Sequence, residues 1–458
     1  MKTILHSLIV LFFLPMFIKA QPDPGKKLNP KETQMIVDSL CFALSDAYIY
    51  PDKAKLMCDA LRSQYKKGVY DKAKNRIELS NLMYNDARAA HKDDHFHFRY
   101  DPQFAKQLER VMNDSDRVQQ YRIDLKNSQE SNYAFIKAEI LPGNIGYLRW
   151  DGFSGMVDEA APTFKAAFRL VENTKTLIID MRYNGGGSPD MVLHTQNYFF
   201  SKKVPMNHIV TRKDTSFRYT DPSKTEFKLL MPVYILTARR TFSGAEDFTY
   251  GMKFGNRATV VGDTTGGGAH PTDLWNVAYG YGFVANIPFG RSYHEVTKTD
   301  WEGTGVRPDV PCNSDQALFK AQALIYKDLI PKADNDFSRN DLKWNLSIVE
   351  NKISTAKQIL TDSVVVTKET LLKYSGEYKP VIQNGPLVTM SMVFKNNNLY
   401  RRVNNNSAPD ARLSPISQTK FVYDDDSGRF VEFKIENGKV LGISVTRWDG
   451  ANYFEKIK

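Results

Sequence analysis

Strand-like and helix-like hydrophobic patterns alternate along the middle of the chain. Short apolar runs at 144–150, 176–181 and 233–238 predict buried strands. Between them, apolar residues recur at helical spacing in 157–171 and 192–200. Strands that alternate with helices favour a layered α/β domain.

The flanking regions have different patterns. Residues 30 to about 90 have helical periodicity with few turn residues, and residues 333–370 are charged and predicted to form a helical linker. After Tyr374, alternating apolar and polar runs are separated by turns rich in Asn, Asp and Gly. This last pattern predicts a small antiparallel β domain.

Composition narrows the class of protein. The chain has 458 residues and a formal net charge of +10. A chain of this length is expected to form two to four domains. The basic residues form no dense run with interleaved aromatics, which argues against nucleic-acid binding.

The N-terminus predicts export. Lys2 precedes an apolar run over 4–18, and Ala20 is a small residue suited to signal cleavage. The run is shorter than the roughly 20 apolar residues that a transmembrane helix needs, and no later stretch is long and apolar enough. We therefore expect a signal peptide cleaved near Ala20, no transmembrane segment, and a secreted or periplasmic protein.

Three cysteines follow: Cys41, Cys58 and Cys312. The first two lie on helical patterns on either side of the Tyr50-Pro51 turn. An antiparallel helix pair would bring them together, and an oxidising compartment would allow a Cys41–Cys58 disulfide. The alternative is two small buried hydrophobic residues.

Ser243 lies where the apolar run over 233–238 gives way to a helical pattern. A serine there is close to the helix N-terminal N–H groups, which stabilise negative charge, as acyl transfer to a serine nucleophile requires. The alternative is a helix cap, with Glu246 as its partner. Three other motifs accompany it, namely the triple glycine 185–187, the triple glycine 266–268, and Trp301-Glu-Gly-Thr-Gly-Val-Arg-Pro-Asp-Val.

Together, these four motifs resemble those of the tail-specific, or C-terminal processing, serine peptidases. The similarity covers about residues 30–315 and is closest to the branch containing tricorn protease and the interphotoreceptor retinoid-binding protein repeats. It implies an N-terminal helical subdomain and a catalytic domain with a Clp-protease/crotonase-like ββα spiral. The short interval between His95 and Gly143 leaves no room for a PDZ domain. Tyr374-Ser-Gly-Glu-Tyr resembles the start of a lipocalin-like β domain.

A serine nucleophile needs a base. The segment 266–271, where the C-terminal processing branch has a lysine, contains none. The resemblance to tricorn-like enzymes implies His95, with His270 as the alternative base. The histidines and aspartates of 91–97 have no recognised zinc spacing, and we predict no metal or cofactor.

The resemblance also implies the remaining site residues. Glu302 lies in a matching Glu-x-x-Gly-Val-x-Pro-Asp pattern, and Asp94 stands where tricorn-like enzymes have a serine. Either carboxylate could orient His95, and a surface position for Glu302 is the alternative. The expected oxyanion hole consists of the Gly244 N–H and a second N–H, from Gly186 or Gly187.

The sequence thus predicts an exported serine endopeptidase that forms an acyl-enzyme on Ser243 and acts on a peptide or protein substrate. The alternative is a non-catalytic carrier of a hydrophobic ligand, such as a retinoid or fatty acid, on the same fold. The sequence sets no oligomeric state. The predicted divisions are a signal peptide (1–20), a helical subdomain (21–135), a peptidase domain (136–332), a linker (333–370) and a β domain (371–458).

Overall fold

The structure is a computed structural model, and it describes residues 24–361, 364–381, 389–403, 410–424, 426–447 and 450–457. The predicted signal peptide lies outside these residues. No helix in the described ranges combines the length and apolar character needed to cross a bilayer.

The described chain begins with three helices, and cap residues and prolines in the sequence define where they begin. Asn29 and Asn75 each accept an N–H from the first helical turn, as N-cap residues do. Pro30 and Pro51 occupy first helical positions, where a backbone N–H would have no partner within the helix, so proline costs no hydrogen bond. The helices are α1 (Pro30–Ala47), α2 (Pro51–Lys66) and α3 (Arg76–Ala90).

The middle of the chain alternates strands and helices, as its hydrophobic pattern predicts. The elements are β1 (His97–Tyr100), α4 (Pro102–Glu109), α5 (Asp114–Glu130), β2 (Phe135–Leu141), β3 (Ile145–Trp150), α6 (Val157–Leu170), β4 (Thr176–Asp180), α7 (Pro189–Gln196), β5 (Asn207–Thr211), β6 (Thr215–Ser216), β7 (Val233–Thr237), α8 (Gly244–Phe254), β8 (Ala258–Gly262), β9 (Thr272–Val277), β10 (Phe283–Pro288), β11 (Gly290–His294) and β12 (Val310–Pro311).

A six-stranded sheet organises this region. Its order is β12-β8-β7-β4-β3-β2, and all neighbours are parallel except β3 and β2. Strands β3 and β4 are buried along their whole length, as parallel strands covered on both faces are. The main core includes side chains of α6, α7 and α8 together with this sheet. A separate cluster joins the sheet to α9 (Ala317–Leu329) and α10 (Asp336–Thr361). The fold is therefore mixed α/β, as predicted.

Helices α1 to α3 form a second core with a small sheet. Strands β1, β10 and β9 are antiparallel in that order, so β9 is an edge strand. Phe96, Phe98, Phe283 and Ile287 are buried against the three helices. The predicted helical region thus packs on strands that come from far later in the sequence. A third small sheet has the order β11-β5-β6.

The C-terminal part contains the predicted antiparallel β structure. After α11 (Lys368–Tyr374) come β13 (Gly376–Pro380), β14 (Met390–Lys395), β15 (Asn398–Val403), β16 (Ala411–Pro415), β17 (Lys420–Tyr423), β18 (Asp426–Glu436), β19 (Lys439–Arg447) and β20 (Gly450–Lys456). These eight strands form a closed barrel, which leaves no edge strand open. The Tyr374 ring stacks on Phe433 inside it, with centroids 3.9 Å apart.

The predicted disulfide is absent. Helices α1 and α2 do bring Cys41 and Cys58 together, and each Sγ lies within 4 Å of the other residue's carbonyl oxygen. Both are nevertheless free, buried thiols. Each thiol can donate to the opposite main-chain carbonyl, and the alternative interpretation, two small buried residues, describes them.

Candidate active site

Ser243 occupies a strained turn between β7 and α8. Its φ of 55° and ψ of −120° lie in a region that residues with a side chain rarely adopt. The turn places Ser243 directly before the first helical residue, Gly244, whose N–H points out of the helix N-terminus. Such a strained strand-to-helix turn exposes a nucleophilic side chain above a sheet.

His95 lies beside Ser243, and the next residue, Phe96, is buried in the core formed by α1 to α3. Its Nε2 lies 3.0 Å from Ser243 Oγ, within hydrogen-bonding distance. The Phe242 ring stacks on the imidazole at 4.6 Å between centroids. Burial lowers the pKa of His95 to about 4, so the ring is neutral near neutral pH and Nε2 can accept a proton. His95 lies two residues before β1, which begins at His97. His97 stacks on Tyr84.

The first glycine-rich loop lies against the same turn. A Cβ added at Gly186 would be 2.7 Å from Gly244 N and 2.8 Å from the Ser243 Cβ. Gly186 and Gly187 have φ values of 103° and 134°, which favour glycine. The Gly186 N–H already donates to Asn184 Oδ1 at 2.8 Å. Of the two predicted oxyanion donors in this loop, Gly186 is therefore already engaged. Gly187 is left as the donor that would act together with the Gly244 N–H.

The second glycine-rich loop is fastened to the serine turn by Glu246. The carboxylate accepts N–H groups from Ser243 (2.9 Å), Gly267 (2.7 Å) and Gly268 (2.8 Å), and the Thr265 hydroxyl donates to it as well. Glu246 is fully buried. Burial raises the pKa of this carboxyl to about 7, although the four donors act in the opposite direction. The residue that the sequence offered as a cap partner thus links two loops of the site.

Asp93, for which the sequence predicted no role at His95, holds the backbone of that histidine. One carboxylate oxygen accepts the His95 N–H at 2.9 Å, and the other accepts the Tyr48 hydroxyl at 2.7 Å and lies 2.8 Å from His270 Nδ1. Burial opposes the ionised form, but the hydrogen bond and charge of His270 outweigh it and lower the pKa of Asp93 to about 2.

Neither predicted orienting carboxylate contacts His95. Asp94 pairs with Arg88 and lies 3.5 Å from Lys92, because its side chain points away from its neighbour Asp93. Glu302 accepts the Ala269 N–H at 2.6 Å and lies 3.6 Å from His270 Nδ1. The prediction that Asp94 or Glu302 orients His95 by direct contact is therefore wrong. In the described part of the chain, His95 Nδ1 is buried without a hydrogen-bond partner.

His270, the alternative base, belongs to this carboxylate cluster. Burial disfavours its charged form, but the hydrogen bond and charge of Asp93 prevail and raise the pKa of His270. Burial also raises the pKa of Glu302 to about 7. Asp93, His270 and Glu302 each offer a metal-ligand atom, and these atoms lie within 4.8 Å of one another. The direct Asp93–His270 hydrogen bond already satisfies the closest pair, so the arrangement is that of a hydrogen-bonded network.

Comparison with known proteins adds to this geometry. Residues 144–312 match the model of peptidase family S41. This S41 match contains Ser243, both glycine-rich loops and Glu302, whereas His95 and Asp93 precede it. The predicted resemblance to tail-specific peptidases is confirmed.

Two curated relatives support the S41 match. A carboxy-terminal processing protease, CtpB, of Bacillus subtilis is 30% identical over 126 residues, which cover 27% of this chain and 25% of that protein. A CtpA-like serine protease of Staphylococcus aureus is 25% identical over 234 residues, which cover 46% and 43% of the two chains. The chain thus spans less than half of the length of either relative.

Among solved structures, that of the photosystem II D1 C-terminal processing protease aligns with this chain. It has a TM-score of 0.41 and 13% identity, and the alignment covers 62% of this chain and 94% of that one. Taken with the S41 match, the curated relatives support a serine-type protease in general terms.

Proposed function

We propose that this protein is an exported serine endopeptidase in which Ser243 is the nucleophile and His95 the base. The observation that carries the proposal is the 3.0 Å contact between Ser243 Oγ and His95 Nε2 at a strained turn. Neutral His95 accepts the hydroxyl proton as Ser243 attacks the peptide carbonyl, and it then returns that proton to the leaving amine. Water hydrolyses the acyl-enzyme by the same route in reverse.

The Gly244 and Gly187 N–H groups are the proposed oxyanion donors. Both belong to backbone already held in place, one at the start of α8 and the other in a loop hydrogen-bonded to Phe153 through its neighbours. Fixed donors stabilise the developing negative charge without reorganising during the reaction. Asp93 replaces Asp94 and Glu302 as the carboxylate that positions His95, and it acts through the main chain.

The proposal extends to parts of the chain outside the site. Residues 136–332 form the peptidase domain with a Clp-protease/crotonase-like spiral, and residues 21–135, 333–370 and 371–458 form the helical subdomain, the linker and the β domain. The N-terminal 1–20 segment directs export and is removed near Ala20, which makes the protein secreted or periplasmic. Its substrate is a peptide or protein.

The test is the intact mass of the protein after treatment with a fluorophosphonate, with mapping of the modified residue. We expect a single adduct on Ser243, lost in His95→Ala and retained in His270→Ala. Ser63→Ala is the matched control, because Ser63 is an exposed serine on α2, in the N-terminal helical region. Loss of labelling in His270→Ala but not in His95→Ala would overturn the choice of base. Absence of any adduct on the folded protein would favour the carrier of a hydrophobic ligand.

A further inference from the structure

The rotation of the His95 imidazole is not set by a hydrogen bond to a carboxylate. Asp93 accepts the His95 main-chain N–H, which holds the backbone but leaves the side chain free to turn about χ1 and χ2. The preferences of χ2 in histidine are broad. In a serine–histidine–carboxylate triad a carboxylate on Nδ1 sets this rotation, whereas in the described residues His95 Nδ1 has no hydrogen-bond partner. Another contact must hold Nε2 at 3.0 Å from Ser243 Oγ.

The half-buried ring of Phe242 lies against one face of this imidazole. The two ring centroids are 4.6 Å apart, and the planes make an angle of 28°. Aromatic rings in such contact attract each other by more than their buried area accounts for. Phe242 directly precedes Ser243, so the turn that carries the nucleophile also carries the surface on which the base rests. A displacement of the turn would therefore move the serine and this ring together.

The second glycine-rich loop packs against both rings. A Cβ added at Gly266 would lie 2.7 Å from Phe242 Cδ2, and one added at Gly268 would lie 2.2 Å from Phe242 Cζ. The Gly268 Cβ would also lie 2.5 Å from His95 Cε1. Glycine allows such a close approach of backbone to side chain. The loop is itself held in place, because Trp301 Nε1 donates to the Gly268 carbonyl at 2.7 Å. The stack is thus confined by fixed backbone.

Proton transfer to His95 creates a cation where burial disfavours one. Burial lowers the pKa of His95 to about 4. The Asp93 carboxylate acts in the opposite direction, whereas His270 and His97 add to the effect of burial. The face of an aromatic ring attracts a cation that lies within about 6 Å of its centroid. Phe242 lies within that distance, so its attraction for the imidazole increases as positive charge develops there.

We propose that Phe242 is a positioning residue, whose ring holds the His95 imidazole at Ser243 and stabilises the imidazolium that forms when Nε2 takes the serine proton. The inference rests on the proposed peptidase function, because it assigns to Phe242 part of the role that a carboxylate has in a triad. The proton passes from Ser243 Oγ to His95 Nε2 and then to the leaving group. Phe242 itself exchanges no atom and acts only through the imidazole.

The test measures the rate of fluorophosphonate labelling in the full chain with fluorinated phenylalanines at position 242, introduced by nonsense-codon suppression. Mono-, di- and trifluorinated rings keep the aromatic shape but withdraw electron density from the ring face that attracts a cation. We expect the labelling rate to fall with each added fluorine, by roughly two- to thirtyfold over the series. A ring that only fills space would leave the rate at the parent value.

Two further variants complete the comparison. The matched control is the same fluorinated series at Phe433, whose buried ring stacks on Tyr374 in the barrel, and it should label at the parent rate. Phe242→Leu keeps an apolar side chain but removes the ring, so the imidazole gains freedom to turn away from Ser243. We expect this variant to label roughly ten- to hundredfold more slowly than the parent protein. Urea unfolding of each protein records its stability alongside the rate.

The outcomes separate this inference from the proposed function. If the parent protein forms no adduct on Ser243, the peptidase proposal fails and the role of Phe242 fails with it. If the parent is labelled and the proteins fluorinated at position 242 react at the same rate, the Phe242 inference alone fails. A fall in rate that follows the urea midpoint, or an equal fall in the Phe433 series, would also overturn it. A graded fall confined to position 242 at unchanged stability supports it.

Discussion

Replacing Glu246 with glutamine tests the link between the serine turn and the second glycine loop. The change keeps the size of the side chain but replaces one acceptor oxygen with an NH₂ group. All four groups around the carboxylate donate to it, three backbone N–H groups and the Thr265 hydroxyl, so the amide NH₂ must face donors. With the NH₂ in place of Oε2, the Ser243 and Gly268 N–H groups lose their acceptor. With the NH₂ in place of Oε1, the Gly267 N–H loses its acceptor, whereas the Thr265 hydroxyl can turn to accept from the amide.

An unsatisfied buried donor costs about 1–3 kcal/mol, so the loss of one or two should lower the free energy of unfolding by about 1–6 kcal/mol. The comparison belongs in mildly alkaline buffer, above the pKa of about 7, where Glu246 is ionised. Urea unfolding measures the stability, and the rate of fluorophosphonate labelling measures the effect on Ser243, whose turn the carboxylate holds against the second glycine loop. We expect both to fall in Glu246→Gln.

The matched control is Glu436→Gln, at an exposed glutamate that ends β18. Surface changes of this kind usually alter stability by less than about 0.5 kcal/mol. An unfolding midpoint and labelling rate in Glu246→Gln equal to those of the control would refute the idea that this carboxylate holds the two loops together.

Three further predictions concern Glu302, Gly187 and the two cysteines of α1 and α2. Glu302→Gln should flatten the pH dependence of stability. Because the pKa of the Glu302 carboxyl is raised from 4.5 to about 7, the free energy of unfolding of the parent protein should fall by up to about 3 kcal/mol as pH rises through that interval. The same pH dependence in denaturation of both proteins would refute this prediction. Gly187→Ala should abolish labelling, because its Cβ would lie 2.1 Å from the Phe153 carbonyl oxygen, whereas Gly185→Ala, with no atom within 4 Å, should be tolerated. Cys41 and Cys58 should both react with iodoacetamide after unfolding without reductant, so mass spectrometry should show that all three cysteines, including Cys312, are alkylated. Alkylation of Cys312 alone would indicate a disulfide between Cys41 and Cys58.

The secondary structure of the middle region could be predicted because local patterns determine it. The runs over 144–150, 176–181 and 233–238 match β3, β4 and β7 to within one residue at each end. Such strands are continuous apolar runs bounded by turn residues, so their signal does not depend on distant parts of the chain. Their parallel pairing needs crossover connections, and α6 and α7 lie in the connections from β3 to β4 and from β4 to β7.

The contacts of the site could be predicted only in part. The proximity of His95 to Ser243 was implied by the family resemblance, since 148 residues separate them in sequence. The choice between Asp93 and Asp94 needs the direction of each side chain, and consecutive residues in extended backbone point opposite ways. Asp93 and Asp94 lie between α3 and β1, outside any regular strand, so hydrophobic periodicity does not show which of their side chains points inward.

The packing of α1 to α3 on β9 and β10 was also beyond the sequence patterns. These strands lie almost two hundred residues after α3, as the bond between Arg76 and the Tyr281 carbonyl illustrates. Hydrophobic periodicity predicts that a face is buried but does not identify the element that covers it. The N-terminal helical region therefore includes a sheet that no local signal assigns to it.

The proposed nucleophile and base belong to different hydrophobic cores. Ala245 and Phe248, just after Ser243, are buried in the core of the six-stranded sheet, and Phe96, just after His95, is buried among α1 to α3. Each core could thus be intact while the 3.0 Å contact between them is broken. Reactivity would then depend on the assembly of two folded parts, and a change at their junction could silence the enzyme without lowering the melting temperature of either.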